Sequence, residues 1–184
     1  MGAMSVCPKR CLIVVSEFEI NEHYLKPMHH SYILWIATFA YAMHILEEFV
    51  LDWKNWAINV LKLPVAWDHF AVTNGIVIVF GISVSSVGWA LPHFSLSLPA
   101  VMVINATFFH LTPFAATKGR FSPGLFTAVF LFYPIAVWAY WGAAQDGVLN
   151  AGIGLSSFLI GAVLMASPIV LLKIRNHPYF RQTR

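Results

Sequence analysis

His44, Glu47 and Glu48 fall within one five-residue stretch, His44-Ile45-Leu46-Glu47-Glu48, whose surroundings are almost wholly apolar. An ionisable side chain at the centre of a hydrocarbon layer costs about 2.5–3.5 kcal/mol on insertion scales. Three of them together require partners, a water-filled cavity or a bound ion. On a helix turning about 100° per residue, His44 shares a face with both Glu47 (i, i+3) and Glu48 (i, i+4), so the three can converge. An imidazole beside carboxylates can ligate a divalent metal or exchange protons with a substrate. Carboxylates with few histidines suit iron, manganese or zinc better than copper. The expected ligands are His44, Glu47, Glu48 and, from later in the chain, His110; the first three are also the expected catalytic groups. Adjacent glutamates point about 100° apart, so one is expected to ligate and the other to orient a histidine or bound water. The spacing alone leaves open which.

The elements that must position these groups follow from composition. Of 184 residues, 59% are hydrophobic and only 10% charged, with a mean hydropathy of +0.70. These values exclude an ordinary water-soluble domain. At about 20 apolar residues per crossing, the chain after residue 28 fits an all-α, polytopic integral membrane bundle of about five transmembrane helices. The expected crossings are residues 31–51, 70–91, 96–116, a fourth opening at Ser122-Pro123-Gly124 and bordered by Trp138, Tyr140 and Trp141, and 148–174. Residues 1–28 form an amino-terminal arm, interfacial or disordered, 29–176 the membrane domain and 177–184 a cytoplasmic tail. Ser122 reads as the N-cap of the fourth crossing with Pro123 at its first position, Pro92 ends the second, and Pro134 should kink the fourth midway. The pairs Ser157/Gly161 and Ala162/Ala166 have the four-residue spacing of closely packed helices. Cys7 and Cys11, the only cysteines, read as free thiols, since two cannot build a disulfide framework or a four-cysteine zinc site. A net charge of +3 and a pI near 9.0 come without the basic, aromatic-interleaved cluster of a nucleic-acid binder, so no nucleic-acid partner is expected.

With five crossings, Lys54, Lys62, Lys118, Arg120, Lys173, Arg175, Arg181 and Arg184 fall on one side, and Lys9, Arg10 and Lys26 on the other. The positive-inside rule then places the amino terminus outside and the carboxyl terminus in the cytoplasm. In that topology His44, Glu47, Glu48, Asp68, His69, Asn74, Asn105, His110, Ser122 and Thr127 all gather in the cytoplasmic third. His93 and Asp146 are left at the other end. Asn74, Asn105, Asp68, His69 and Arg120 are the expected contacts for a substrate or for the ligand side chains.

The chain resembles the bacterial polytopic membrane proteins named for a His-x-x-Glu-Glu motif, the HXXEE domain family. The motif itself, the segment Asn105 to His110 and the stretch Arg120 to Thr127 carry the resemblance, which runs roughly from Tyr32 to Pro134. It implies a polytopic fold in the bacterial inner membrane and a metal or acid/base site, without supplying a reaction. The leading expectation is a membrane-embedded metal-dependent enzyme acting on a lipid-like hydrophobic substrate, in contact with membrane lipid. A metal-free acid/base isomerase or cyclase, a small proton- or ion-coupled transporter and a structural membrane subunit are the alternatives, and self-association is left open.

Overall fold

The computed structural model describes residues 30–174, 177 and 179. The arm, with Cys7 and Cys11, and most of the tail lie outside the described residues. Among those described every element is helical, and five helices are long and apolar enough to cross a membrane: His30–Val50, Trp67–Ala90, Pro92–Ala116, Leu125–Gln145 and Ala151–Ile174. They are called the first to fifth spans below. The chain is thus a polytopic helical membrane protein. Between the first two spans, Asp52 takes a left-handed φ of 60°, and a short helix, Trp53–Trp56, runs into a wide turn at Ala57–Leu61.

Several boundaries move from their expected places for local reasons. Pro92 does not merely end the second span; it opens the third, at the first helical position, where its missing N–H costs nothing. The fifth span starts at Ala151 because the Asn150 side chain caps it, accepting the Ile153 N–H at 3.0 Å. Ser122 is not the cap of the fourth span: the helix begins at Leu125 behind Gly124, whose φ is 94°. Pro134 is preceded by the widened turn Ala128–Phe132, and Pro113 by another at Ala106–Leu111. In each case the slip in helical register comes just before the residue that cannot donate. Pro168 leaves the Leu164 carbonyl without its helical donor, and the Ser167 hydroxyl supplies one at 2.8 Å.

The third span is the axis of the bundle, with 61% of its most apolar window buried against 11% in the fifth. Ala37, Ala40 and Tyr41 of the first span, Val84 of the second, Leu98, Val101, Met102 and Ala106 of the third, and Ala128 and Phe132 of the fourth form one continuous core. Lipid tails are as apolar as these side chains, so close packing rather than release from water favours the association. Small residues make that packing possible. A Cβ on Gly161 would come within 3.0 Å of the Ala100 Cβ and 3.2 Å of the Val101 amide, and Ser157 is fully buried. The Ser157/Gly161 pair therefore faces the third span, whereas Ala162 and Ala166 are exposed.

At the end of the bundle where His30 begins, Asp146 joins three spans. Its Oδ2 accepts the His30 N–H at 2.6 Å and Trp89 Nε1–H at 2.7 Å, while Oδ1 lies 2.7 Å from His30 Nδ1. Removal from water pushes the Asp146 carboxyl upward, but the bonds from His30 and Trp89 outweigh it and hold the group below its usual range. The opposite end carries the groups suited to chemistry.

Candidate metal centre

His44 and Glu48 lie one turn apart on the buried face of the first span, and His110 reaches them from the widened turn in the third. Both imidazoles are fully buried and Glu48 is 4% exposed. Glu48 Oε1 is 3.5 Å from His44 Nε2 and 3.4 Å from His110 Nε2, and ligand atoms of the three residues all lie within 4.8 Å of one another. The rings meet edge to face, 4.8 Å apart at 88°, with Phe132 against His44 at 4.4 Å. Neither Nε2 has a hydrogen-bond partner.

The far nitrogens determine what those inner atoms present. His44 Nδ1 lies 2.7 Å from Thr127 Oγ1. The single proton of that hydroxyl is directed to Glu47 Oε2 at 2.7 Å or to the Gly124 carbonyl at 3.2 Å. Thr127 can therefore only accept from the ring, which puts a proton on Nδ1 and, in the neutral imidazole, a lone pair on Nε2. His110 repeats the arrangement through Ser122, whose Oγ is 3.0 Å from Nδ1 and 3.5 Å from the Phe109 carbonyl. In an α-helix that carbonyl would take the amide of residue 113, which is proline. The Ser122 hydroxyl therefore has two acceptors within reach, and its shorter contact is the one to the His110 ring. The His44 lone pair, the His110 Nε2 and a Glu48 carboxylate oxygen consequently converge in a buried pocket, where acceptors repel unless a cation or proton lies between them.

The separations suit a metal. At bond lengths of about 2.0–2.1 Å, neighbouring ligands of a tetrahedral zinc are roughly 3.3 Å apart. Glu48 meets that spacing to both histidines. Iron, manganese or zinc could be held by His44, Glu48 and His110, a set of three that suits one ion rather than two.

Glu47, expected among the ligands, is directed elsewhere. Its Oε1 accepts the amides of Gly124 and Phe126, both at 3.1 Å, and its Oε2 accepts the Thr127 amide at 2.8 Å together with the Thr127 hydroxyl. A carboxylate from the first span thereby supplies the N-terminal cap of the fourth, serving amides that have no partner inside their own helix and favoured by the dipole there. Gly124 itself is pressed onto the centre. A Cβ there would come within 2.6 Å of the His110 ring, 2.7 Å of the His44 ring and 3.0 Å of Glu48 Cγ, and its positive φ disfavours any side chain.

Beside the centre is a cavity of about 500 Å³, bounded by the first, second, third and fifth spans and the Trp53–Val65 connection. Glu48 and Tyr41 reach it, as do Asn74, Asn105, Asp68 and His69 from the expected set. Asn105 is buried and donates to the Tyr41 hydroxyl at 3.3 Å, while its Oδ1 is without a partner. Asp68 and His69 pair at 3.1 Å toward the exposed rim, and Arg120 is exposed in the connection between the third and fourth spans. Sequence reasoning did not find Gly124, Tyr41 or the orienting roles of Ser122 and Thr127. The one available signal was a Ser-x-Gly-x-x-Thr stretch at a span border.

Fold and site together define a polytopic helical membrane protein with a buried His-Glu-His cluster at one end of its bundle. Residues 35–139, more than half of the chain, match the family described as "Protein of unknown function with HXXEE motif", and the chain belongs to that family. No curated protein and no solved structure matches it.

Proposed function

We propose that this protein is a membrane-embedded metal-dependent enzyme acting on a lipid-like hydrophobic substrate, with His44, Glu48 and His110 holding one divalent transition metal. The observation that carries this reading is the double placement of Glu48, which meets both imidazole nitrogens and also lines the apolar cavity. Two histidines and one carboxylate form a donor set that catalytic zinc and non-haem iron sites use with a coordination position left open, whereas structural zinc sites are closed by four protein ligands. Such a metal, when bound, supplies a Lewis acid or an activated water at neutral pH. The chain's own residues turn the His44 Nε2 inward through Thr127, hold the His110 Nδ1 on Ser122, pack Phe132 and the Gly124 backbone against the rings, and place Glu48 on the wall of the cavity.

Protein purified without a metal-affinity tag should contain a substantial fraction of one iron, manganese or zinc per chain by elemental analysis. His44→Ala, His110→Ala and Glu48→Gln proteins that still fold should lose it. Wild-type protein that holds no metal and cannot be reloaded would instead leave His44 and Glu48 as a metal-free acid/base pair, the reading that their 3.5 Å separation also permits.

The proposed membrane is the bacterial inner membrane, with the amino terminus outside and the metal centre near the cytoplasmic face, on the strength of the lysine and arginine asymmetry. In a protein whose Cys7 and Cys11 are replaced by serine, a cysteine at exposed Gln145 should react with an impermeant thiol reagent in intact cells. One at exposed Asn59 should be protected. The reverse pattern would invert the orientation.

A further inference from the structure

The cavity beside the cluster has a side entrance, a depth and a closed end. Val72 and Ile76 of the second span and Leu171 of the fifth line it while remaining 63%, 61% and 59% exposed. The second span packs on the first and the fifth on the third, which leaves the gap between the second and fifth as an opening through the side of the bundle. That opening faces the acyl chains of the bilayer, so the molecules supplied to it are those dissolved among them.

The depth follows from the second span, which lines the cavity from its start near Phe70 inward to Phe80. At 1.5 Å per residue these two rings are about 15 Å apart along the axis, half of a hydrocarbon core about 30 Å thick. The cavity is therefore one leaflet deep. Phe80, Val101 and Leu164 are the innermost lining residues of their spans. Val101 belongs to the continuous core and the other two pack against it, with Phe80 braced edge to face by Phe94 at 5.1 Å, so the inner end is closed. At about 30 Å³ per heavy atom, the share of volume that a water takes in the liquid, a cavity of about 500 Å³ holds on the order of sixteen atoms. That is one hydrocarbon chain, not two.

Glu48 marks the opposite end. It stands near the Val50 end of the first span, as Phe70 stands near the Trp67 start of the second, so the two are at similar depth, and Glu48 lines the cavity. The cluster is thus beside the border end of the cavity and remote from its closed end.

We propose that the cavity is a slot for the one hydrocarbon chain of a single-chain lipid, drawn from the leaflet on the Glu48 side and admitted sideways between the second and fifth spans. The chain lies along the second span, with its tail against Phe80 and its head end level with Glu48. This names the substrate class, puts the reacting position at the head end rather than along the chain, and makes Phe80 the determinant of chain length. Only the reacting position rests on the metal-dependent reading above; occupancy of the slot is independent of the metal. Lipid tails are as apolar as the lining, so a chain gains by filling the slot. A short chain leaves contacts unmade, and a long one has to be forced against the packed core.

The test is photolabelling of full-length protein in phosphatidylcholine nanodiscs with two methyl tetradecanoate probes, one carrying a diazirine next to the ester and the other next to the terminal methyl. Labelled residues are located by mass spectrometry. Unlabelled methyl decanoate, tetradecanoate and docosanoate compete at equal mole fraction in the bilayer, and metal content is measured on the same samples. Labelling should be saturable, at or beside Glu48 for the ester-end probe and at or beside Phe80, Val101 or Leu164 for the tail-end probe. Decanoate and docosanoate should each compete at least about fivefold more weakly than tetradecanoate. Phe80→Ala should restore competition by docosanoate without changing the metal content. Unsaturable labelling, exchanged positions for the two probes or competition indifferent to chain length in wild-type protein overturns the proposal, and none of these needs a variant to fold. Length-selective labelling of metal-free protein would leave the slot standing while the metal-dependent enzyme fails. Metal-loaded protein whose labelling cannot be saturated would do the reverse.

Discussion

At the scale of single residues, the candidate centre depends as much on hydroxyls as on His44, Glu48 and His110 themselves. Thr127 and Ser122 make no approach to the converging Nε2 atoms, yet they hold the two rings by their opposite nitrogens at 2.7 and 3.0 Å. Such outer partners commonly contribute 10- to 100-fold to metal affinity. Thr127→Val keeps the shape of the side chain and removes the oxygen. It should weaken metal binding by about that factor in a chelator competition, because His44 is then free to turn or to move its proton to Nε2. Thr127→Ser, which retains the hydroxyl, should recover most of the loss. Equal affinity in Thr127→Val and wild-type protein would show that packing against Phe132 alone orients His44.

At the scale of elements, the notable junction is between the first and fourth spans. The fourth has no capping side chain of its own, since glycine occupies its N-cap position, and three of its first amides depend on Glu47. Loss of a cap costs about 0.5–2 kcal/mol, and the part-buried Gly124 and Thr127 amides left unmatched add to that. Glu47→Ala should therefore lower stability in a detergent unfolding titration by roughly 2 kcal/mol or more, with Glu47→Gln falling between. Because both Glu47 oxygens are directed to the helix start, the folded fraction of either variant should keep its metal stoichiometry. Loss of metal in folded Glu47→Gln protein, with stability unchanged, would return Glu47 to the ligand set.

At the scale of the whole molecule, the end of the bundle remote from the His44, Glu48 and His110 cluster is closed by Asp146, which ties the starts or ends of the first, second and fourth spans. Its carboxyl is held below the ordinary value near 3.9, so the folded state favours the ionised form. The stabilisation is fully present above the unfolded value and disappears as pH falls through the lower folded value. Thermal unfolding midpoints followed downward from neutral pH should fall more steeply in wild-type protein than in Asp146→Asn. Parallel profiles would show that these bonds contribute nothing that ionisation controls. Cavity, candidate centre and this closure lie in one bundle, yet the closure is at the other end of the first span from His44, so Asp146→Asn should leave the metal content expected under the proposed function unchanged.

The sequence by itself determined the number and approximate extent of the spans, because length and apolar composition are local properties that the bilayer thickness converts directly into helices. It also determined that His44 and Glu48 share a face, because a helix imposes the i, i+4 relation whatever surrounds it. The choice between Glu47 and Glu48 was not legible. Their 100° divergence is local, but which of them turns inward depends on how the first span is rotated against the third and fourth, a matter of packing at Ala37, Ala40 and Tyr41. The same rotation makes Ser157 and Gly161 an interface while Ala162 and Ala166, with identical spacing, face outward. Ser122 looked like a helix cap because serine beside proline usually is one. Only the tertiary structure, by bringing Glu47 onto the start of the fourth span, released that hydroxyl to orient His110. The orphaned acceptor of Asn105 was likewise beyond reach, since a missing partner is defined by everything that fails to approach it, and no stretch of sequence contains that information.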